Sequence, residues 1–171
     1  MVASTVAARY CPLMDKGATL SPCRKYRYQL WRWWDTSLPK VMFVGLNPST
    51  ADESEDDHTI RRCINFAKSW GYGGLFMVNL FAYRTKDPAV MMATPDPVGE
   101  FNDYELLSTY NVVDLAVACW GTNGSFMDRD KAVREMLPDL HVLVLTKHGH
   151  PGHPARLSKS LKPFIWTQSD A

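Results

Sequence analysis

Four short polar segments, each directly following an apolar run, carry the side chains of this sequence best suited to chemistry. Gly45-Leu46-Asn47-Pro48-Ser49-Thr50 follows Val41–Val44, and Asn79-Leu80-Phe81-Ala82-Tyr83-Arg84 follows Leu75–Val78. Trp120-Gly121-Thr122-Asn123 follows Leu115–Cys119, and a histidine-rich stretch with His148, His150 and His153 follows Val142–Leu145. A carboxamide offers a donor and an acceptor, so Asn47 and Asn79 can hold a water or read the edge of a planar heterocycle. An imidazole changes its proton state near neutral pH and serves as donor or base. Together these groups suit a reaction in which a departing group needs a hydrogen bond and a water needs orienting.

The elements that must position them can be read from the same pattern. The apolar runs are short and continuous, the mark of parallel strands buried on both faces. Between the first two, Thr59 to Trp70 has Ile60, Cys63, Ile64 and Ala67 at helical spacing, and Gly71-Tyr72-Gly73-Gly74 closes it. Further helices are expected near 101–112 and 128–137. Tyr26, Tyr28 and Leu30 alternate with Lys25, Arg27 and Gln29, which predicts a strand with one wet face. Strands alternating with helices imply right-handed crossovers. The expected fold is therefore α/β: a three-layer α/β/α sandwich around a central, mainly parallel four-stranded sheet, with an added N-terminal strand. One domain over 1–171 is expected, with 1–22 as an irregular leader carrying Pro12, Gly17 and Pro22. Ligands bind beyond the carboxyl ends of the strands in such sheets, so the four polar segments should meet at one edge.

Composition narrows the function classes. The chain has 171 residues, 46% hydrophobic, which is enough to fill a core. A net charge of +1 excludes a global basic field, although local charge is uneven. Arg24, Lys25, Arg27 and Arg32 form one basic segment; Lys147, Arg156, Lys159 and Lys162 form another; the acids gather at 52–57. The four cysteines make no C-x-x-C pair, so no iron–sulfur cluster is expected, and Cys63 and Cys119 read as buried thiols. With no signal segment and no apolar run of membrane length, a cytoplasmic protein without a membrane partner is expected.

Gly45-Leu46-Asn47-Pro48, Phe76-Met77-Val78-Asn79, Cys119-Trp120-Gly121 and His153-Pro154-Ala155-Arg156-Leu157-Ser158, in this order and each at a strand end, resemble the motifs of the uracil-DNA glycosylase superfamily. The resemblance spans about residues 41–160. Gly-Leu-Asn-Pro-Ser-Thr, Thr-Ile-Arg-Arg-Cys and Gly-His-Pro-x-His-Pro also resemble a bacterial and phage family distantly related to that superfamily. The resemblance implies a metal-free and cofactor-free DNA glycosylase that flips a nucleotide out of the strand, acting as a monomer on DNA. Asn47 would hold the attacking water and His153 would donate to the departing base, with His150 as the alternative histidine. Asn79 would read the pairing edge of the base, and Gly45, Leu46, Ser49, Trp120 and His150 would line its pocket. Thr50, Arg61, Arg62, Lys147, Arg156, Ser158 and Lys159 would meet the DNA. Strict uracil enzymes carry a Tyr where this chain has Ser49, so the resemblance implies room for a 5-substituted pyrimidine, up to a hydroxymethylated or glucosylated base. Repair and defence against phage are the roles this suggests. Tyr72, Tyr83 and Trp120 are candidates for stacking on the base. The alternatives are a metal hydrolase built on His148, His150 and His153 with Asp56 or Asp57, an inactive module that binds modified DNA or a nucleotide, and a lyase using Lys147.

Overall fold

The structure is a computed structural model and describes residues 14–167. In chain order its strands are β1 (Asp15–Leu20), β2 (Arg27–Trp33), β3 (Lys40–Gly45), β4 (Gly74–Asn79), β5 (Leu115–Ala118), β6 (His141–Val142) and β7 (Phe164–Ile165). Its helices are α1 (His58–Ser69), α2 (Pro88–Ala93), α3 (Asn102–Tyr110) and α4 (Arg129–Met136). The strands form one mixed sheet of seven in the order β1-β2-β4-β3-β5-β6-β7. The parallel pairings β4–β3, β3–β5 and β5–β6 make up its centre, and β2, β1 and β7 join antiparallel. The sheet is thus larger and more mixed than the four-stranded one the sequence predicts.

Successive residues of the central strands point to opposite faces, and both faces are apolar. Val41, Phe43, Leu75, Met77 and Val117 meet Ile60, Cys63, Ile64 and Ala67 of α1. Met42, Val44, Val78, Ala116 and Ala118 meet Met91 of α2, Leu106 of α3 and Val133 of α4 on the other side. Two cores on one sheet make three layers. The Asp57 carboxylate caps α1 by accepting from the Ile60 amide at 2.9 Å, and Gly71, at φ 84°, turns the chain away after it.

Two further expectations are corrected. The expected leader contains β1 from Asp15 onward, while residues 1–13 lie outside the described residues. The expected fourth strand over 142–145 is reduced to His141–Val142, because the chain doubles back on itself. Gly152 N–H donates to the Val144 carbonyl at 2.9 Å and Thr146 N–H to that of His150 at 2.8 Å. The backbone of Val144–Thr146 therefore pairs with the histidine loop rather than continuing the sheet.

A buried cation ties the acidic loop to the sheet. Arg32 of β2 is fully buried, and its Nε donates to Asp56 Oδ1 at 2.7 Å. Its terminal nitrogens donate to the carbonyls of Trp31 at 2.8 Å and Asp52 at 2.6 Å. A buried charge is tolerated when it is paired and its N–H groups are used in this way. Arg32→Ala should cost about 3 kcal/mol, read as a lower urea midpoint at an unchanged slope.

Candidate functional site

The carboxyl ends of β3, β4 and β5, the start of α1 and the histidine loop enclose a cavity of about 290 Å³. That is near the lower end, about 300 Å³, of small-ligand pockets. Asn47, Asn79, Trp120 and His153 all line it, with Gly45, Leu46 and Ser49. Four segments separated by more than a hundred residues of sequence thus share one wall.

Backbone pairing beyond the strands builds the floor. Leu80 and Phe81 N–H donate to the carbonyls of Gly45 and Leu46, each at 2.9 Å. The Asn47 Nδ2 donates to the Thr85 carbonyl at 2.9 Å and that of Pro48 at 3.1 Å. With its donor end held by carbonyls, Asn47 has its amide oxygen left as an acceptor for a water. Asn79 is 3% exposed, and its Nδ2 is buried without a partner. Buried amide donors are nearly always paired, so this one is open to an acceptor in the cavity, whether a water or a ligand atom. Asn102 Nδ2 fixes the turn after β4 by donating to the carbonyls of Asn79 at 3.0 Å and Leu80 at 2.9 Å.

His153 sits exposed at the mouth, where its Nδ1 accepts from the Ala155 amide at 3.2 Å. In the neutral ring that places the proton on Nε2, which becomes the free donor. Protein packed around the ring, together with His58, lowers its pKa below the ordinary 6.5, and Asp57 partly opposes this. A lowered pKa keeps the ring neutral as pH falls toward its folded value. Cys119, also on the wall, is pushed up to about 12 by burial and stays a thiol. Of the three candidate stacking rings, Trp120 lines the cavity, while Tyr83 lines an adjoining cleft and Tyr72 a separate depression.

The remaining expected residues lie elsewhere. His150 is not on the cavity wall, and its backbone N–H donates to Thr146 Oγ1 at 3.2 Å. Thr50 is exposed in the adjoining cleft. Arg61 turns back to the Asp56 carbonyl, and Arg62 ties α1 to the Leu157 carbonyl while lying 5.3 Å from the Phe66 ring centroid. Both guanidinium groups therefore hold local structure rather than projecting freely. Lys147, Arg156, Ser158 and Lys159 are exposed and off the cavity wall, and Ser158 bonds Ser160 at 2.9 Å. Among the described residues no three His, Cys, Asp or Glu side chains come together to hold a metal.

Three charged wall residues escaped the sequence reading as site residues: Arg27, Asp57 and Lys86. Arg27 belonged to the expected wet face of its strand but is 2% exposed, covered by the loop whose Ala51 carbonyl accepts from its Nη1 at 2.8 Å. Asp57 was considered for a metal or a surface pair. A helix cap three positions before Ile60 is the signal that would have placed it at a helix start facing the strand ends.

Residues 27–155 match the model of a family described as protein of unknown function, DUF1643. The chain belongs to that family. No curated protein and no solved structure matches it. Every cavity residue named above lies within the DUF1643 match.

In this DUF1643 protein Gly45 faces Asn79 so closely that a Cβ would sit 2.7 Å from Asn79 Oδ1. Gly45→Ala should displace Asn79 and cost about 1–3 kcal/mol, measured by urea unfolding. Imidazole NMR should give His153 a titration midpoint below 6.5, and Asp57→Asn, which keeps the cap, should lower it further.

Proposed function

We propose that the cavity receives a pyrimidine flipped out of a DNA strand and that the protein hydrolyses its N-glycosidic bond, leaving an abasic site. One observation carries this reading. A water acceptor (Asn47), a neutral imidazole donor (His153) and an unpartnered buried amide (Asn79) line a single base-sized cavity. The sequence resemblance to uracil-DNA glycosylases, including the expected fold relationship, gives these groups their roles.

In the reaction, water oxygen bonds to the anomeric carbon and the bond from that carbon to the base nitrogen breaks. The electron pair leaves with the base, and charge develops on its carbonyl oxygens. Asn47 orients the water through its amide oxygen. It cannot take a proton, so the base must already be departing as water adds. Asp57, the carboxylate of the wall, can accept the water's proton. His153 donates Nε2–H to the developing oxyanion, which is where a fixed donor acts most strongly. Asn79 donates to an acceptor on the pairing edge. Flipping costs a few kcal/mol and selects bases whose pairing or stacking is weakened.

Ser49 lines the cavity and is half-buried, so its small side chain leaves room beside the base. A 5-substituted pyrimidine is accordingly the favoured substrate, from thymine to hydroxymethylated or glucosylated forms. DNA repair and removal of modified phage DNA are the roles that such an activity serves.

The test is base release from duplexes carrying uracil, mismatched thymine, 5-hydroxymethyl or glucosylated pyrimidines, in chelator, followed by alkaline cleavage. Abasic sites should form on at least one substrate, and His153→Ala should slow their formation by about a hundredfold or more. Binding of these duplexes without release from any of them would replace the hydrolase with a module that reads modified DNA.

A further inference from the structure

The basic segment that opens β2 has no part in the reaction just described, yet it supplies the most unusual charge in the molecule. Arg27 is 2% exposed and, among the described residues, makes no ion pair, in contrast to Arg32 five residues on. Its Nη1 donates to the Ala51 carbonyl at 2.8 Å, and its Nε is buried without a partner. Burial lowers its pKa to about 10, with the nearby positive charge of Arg84 acting in the same direction and Asp57 opposing. Asp57 and Asp52 are the nearest carboxylates, and each is tied to its own loop. Asp57 Oδ1 accepts from the Ile60 amide, while Asp52 Oδ1 accepts from the amides of Ser54 and Glu55.

Arg84 repeats the situation. Its Nη1 donates to the Arg24 carbonyl at 3.2 Å, and its Nε is also buried without a partner. The two arginines are brought together by backbone pairing: Arg27 N–H donates to the Ala82 carbonyl at 2.9 Å and Arg84 N–H to that of Lys25 at 2.8 Å. Arg27 lines the base-sized cavity, and Arg84 lines an adjoining cleft of about 410 Å³. The two spaces share Ser49, Thr85 and Lys86, and the cleft is also lined by Lys25 and by Arg24, which pairs with Glu53 at 2.9 Å.

A desolvated guanidinium with an unused N–H donor, as at Arg27, is costly alone, and an anion accepting from it and from Arg84 relieves that cost. We propose that Arg27, Arg84 and Lys86 form a phosphate-binding subsite that holds a phosphate of the nucleotide whose base enters the neighbouring cavity. The chemistry is shared by a phosphodiester of a DNA strand and the terminal phosphate of a free nucleotide. It is carried by the buried, unpaired Arg27 beside the half-buried Arg84 and does not depend on which bond is broken.

The first measurement is calorimetric titration of the full chain with inorganic phosphate against a chloride background of equal ionic strength. Wild-type protein should bind phosphate, and Arg84→Gln and Lys86→Gln should each weaken binding by about tenfold. Lys131→Gln, exposed on α4 and off both walls, should bind as wild type does. Unchanged thermal midpoints in phosphate-free buffer show that the variants are folded. Arg27→Gln tests the buried member, and the two more exposed variants decide the matter if it fails to fold. No phosphate binding by wild type, or equal weakening in all variants including Lys131→Gln, overturns the subsite.

Two further ligands identify the source of the phosphate. Arg84-dependent binding of a deoxynucleoside 5′-monophosphate assigns a terminal phosphate. Arg84-dependent binding of an oligonucleotide without terminal phosphates assigns the phosphodiester. Arg84-dependent phosphate binding by a protein that releases no base supports the subsite and removes the hydrolase reading. Base release that is unaffected by Arg84→Gln, with no phosphate bound, does the reverse.

Discussion

The ladder between β3 and β4 is the constraint on which the site depends. These two parallel strands run in register from Lys40 opposite Gly74 to Gly45 opposite Asn79. At the last step the Asn79 side chain occupies the space a Cβ at residue 45 would take. The zipped loops beyond it bring Asn47 to the Thr85 carbonyl. A slip of one residue would turn Asn79 to the opposite face of the sheet and detach Asn47 from its carbonyls. The cavity is therefore a consequence of strand register as much as of the residues that line it.

Two buried arginines on one strand differ in how their donors are used. Arg32 spends its donors on Asp56 and on carbonyls of the acidic loop, and so fixes that loop against the sheet. That loop leads into Asp57, which caps α1 and places a carboxylate on the cavity wall. Arg27 retains unused N–H groups beside the cavity. A buried cation left unpaired is destabilising by itself, and its cost is understandable where a ligand supplies the missing acceptor.

Much of this was legible in the sequence, and the failures have physical reasons. The continuous apolar runs of β3, β4 and β5 and the helical spacing of α1 report burial directly, so the parallel core and its helix layer could be read. The convergence of Asn47, Asn79, Trp120 and His153 followed from the rule that parallel strands end at one edge. β1 was missed because its sequence, DKGATL, carries little apolar alternation; it is held by pairing with β2. β7 is two exposed residues, and β6 loses its expected end to pairing within the histidine loop. Arg27 was hidden because burial of a cation depends on a loop more than twenty residues away. The contacts of Arg61 and Arg62 with the carbonyls of Asp56 and Leu157 were hidden for a similar reason.

The central claim is that one cavity, made by the β3–β4 register, takes a single extruded pyrimidine. A crystal structure of the protein with a duplex carrying a 2′-fluorinated, cleavage-resistant 5-substituted pyrimidine tests it most directly. The account predicts the base inside the cavity, with Asn79 Nδ2 on its pairing edge, His153 Nε2 on a carbonyl oxygen and the 5-substituent beside Ser49. A base still stacked in the duplex, or seated elsewhere on the protein with the cavity empty, would contradict it.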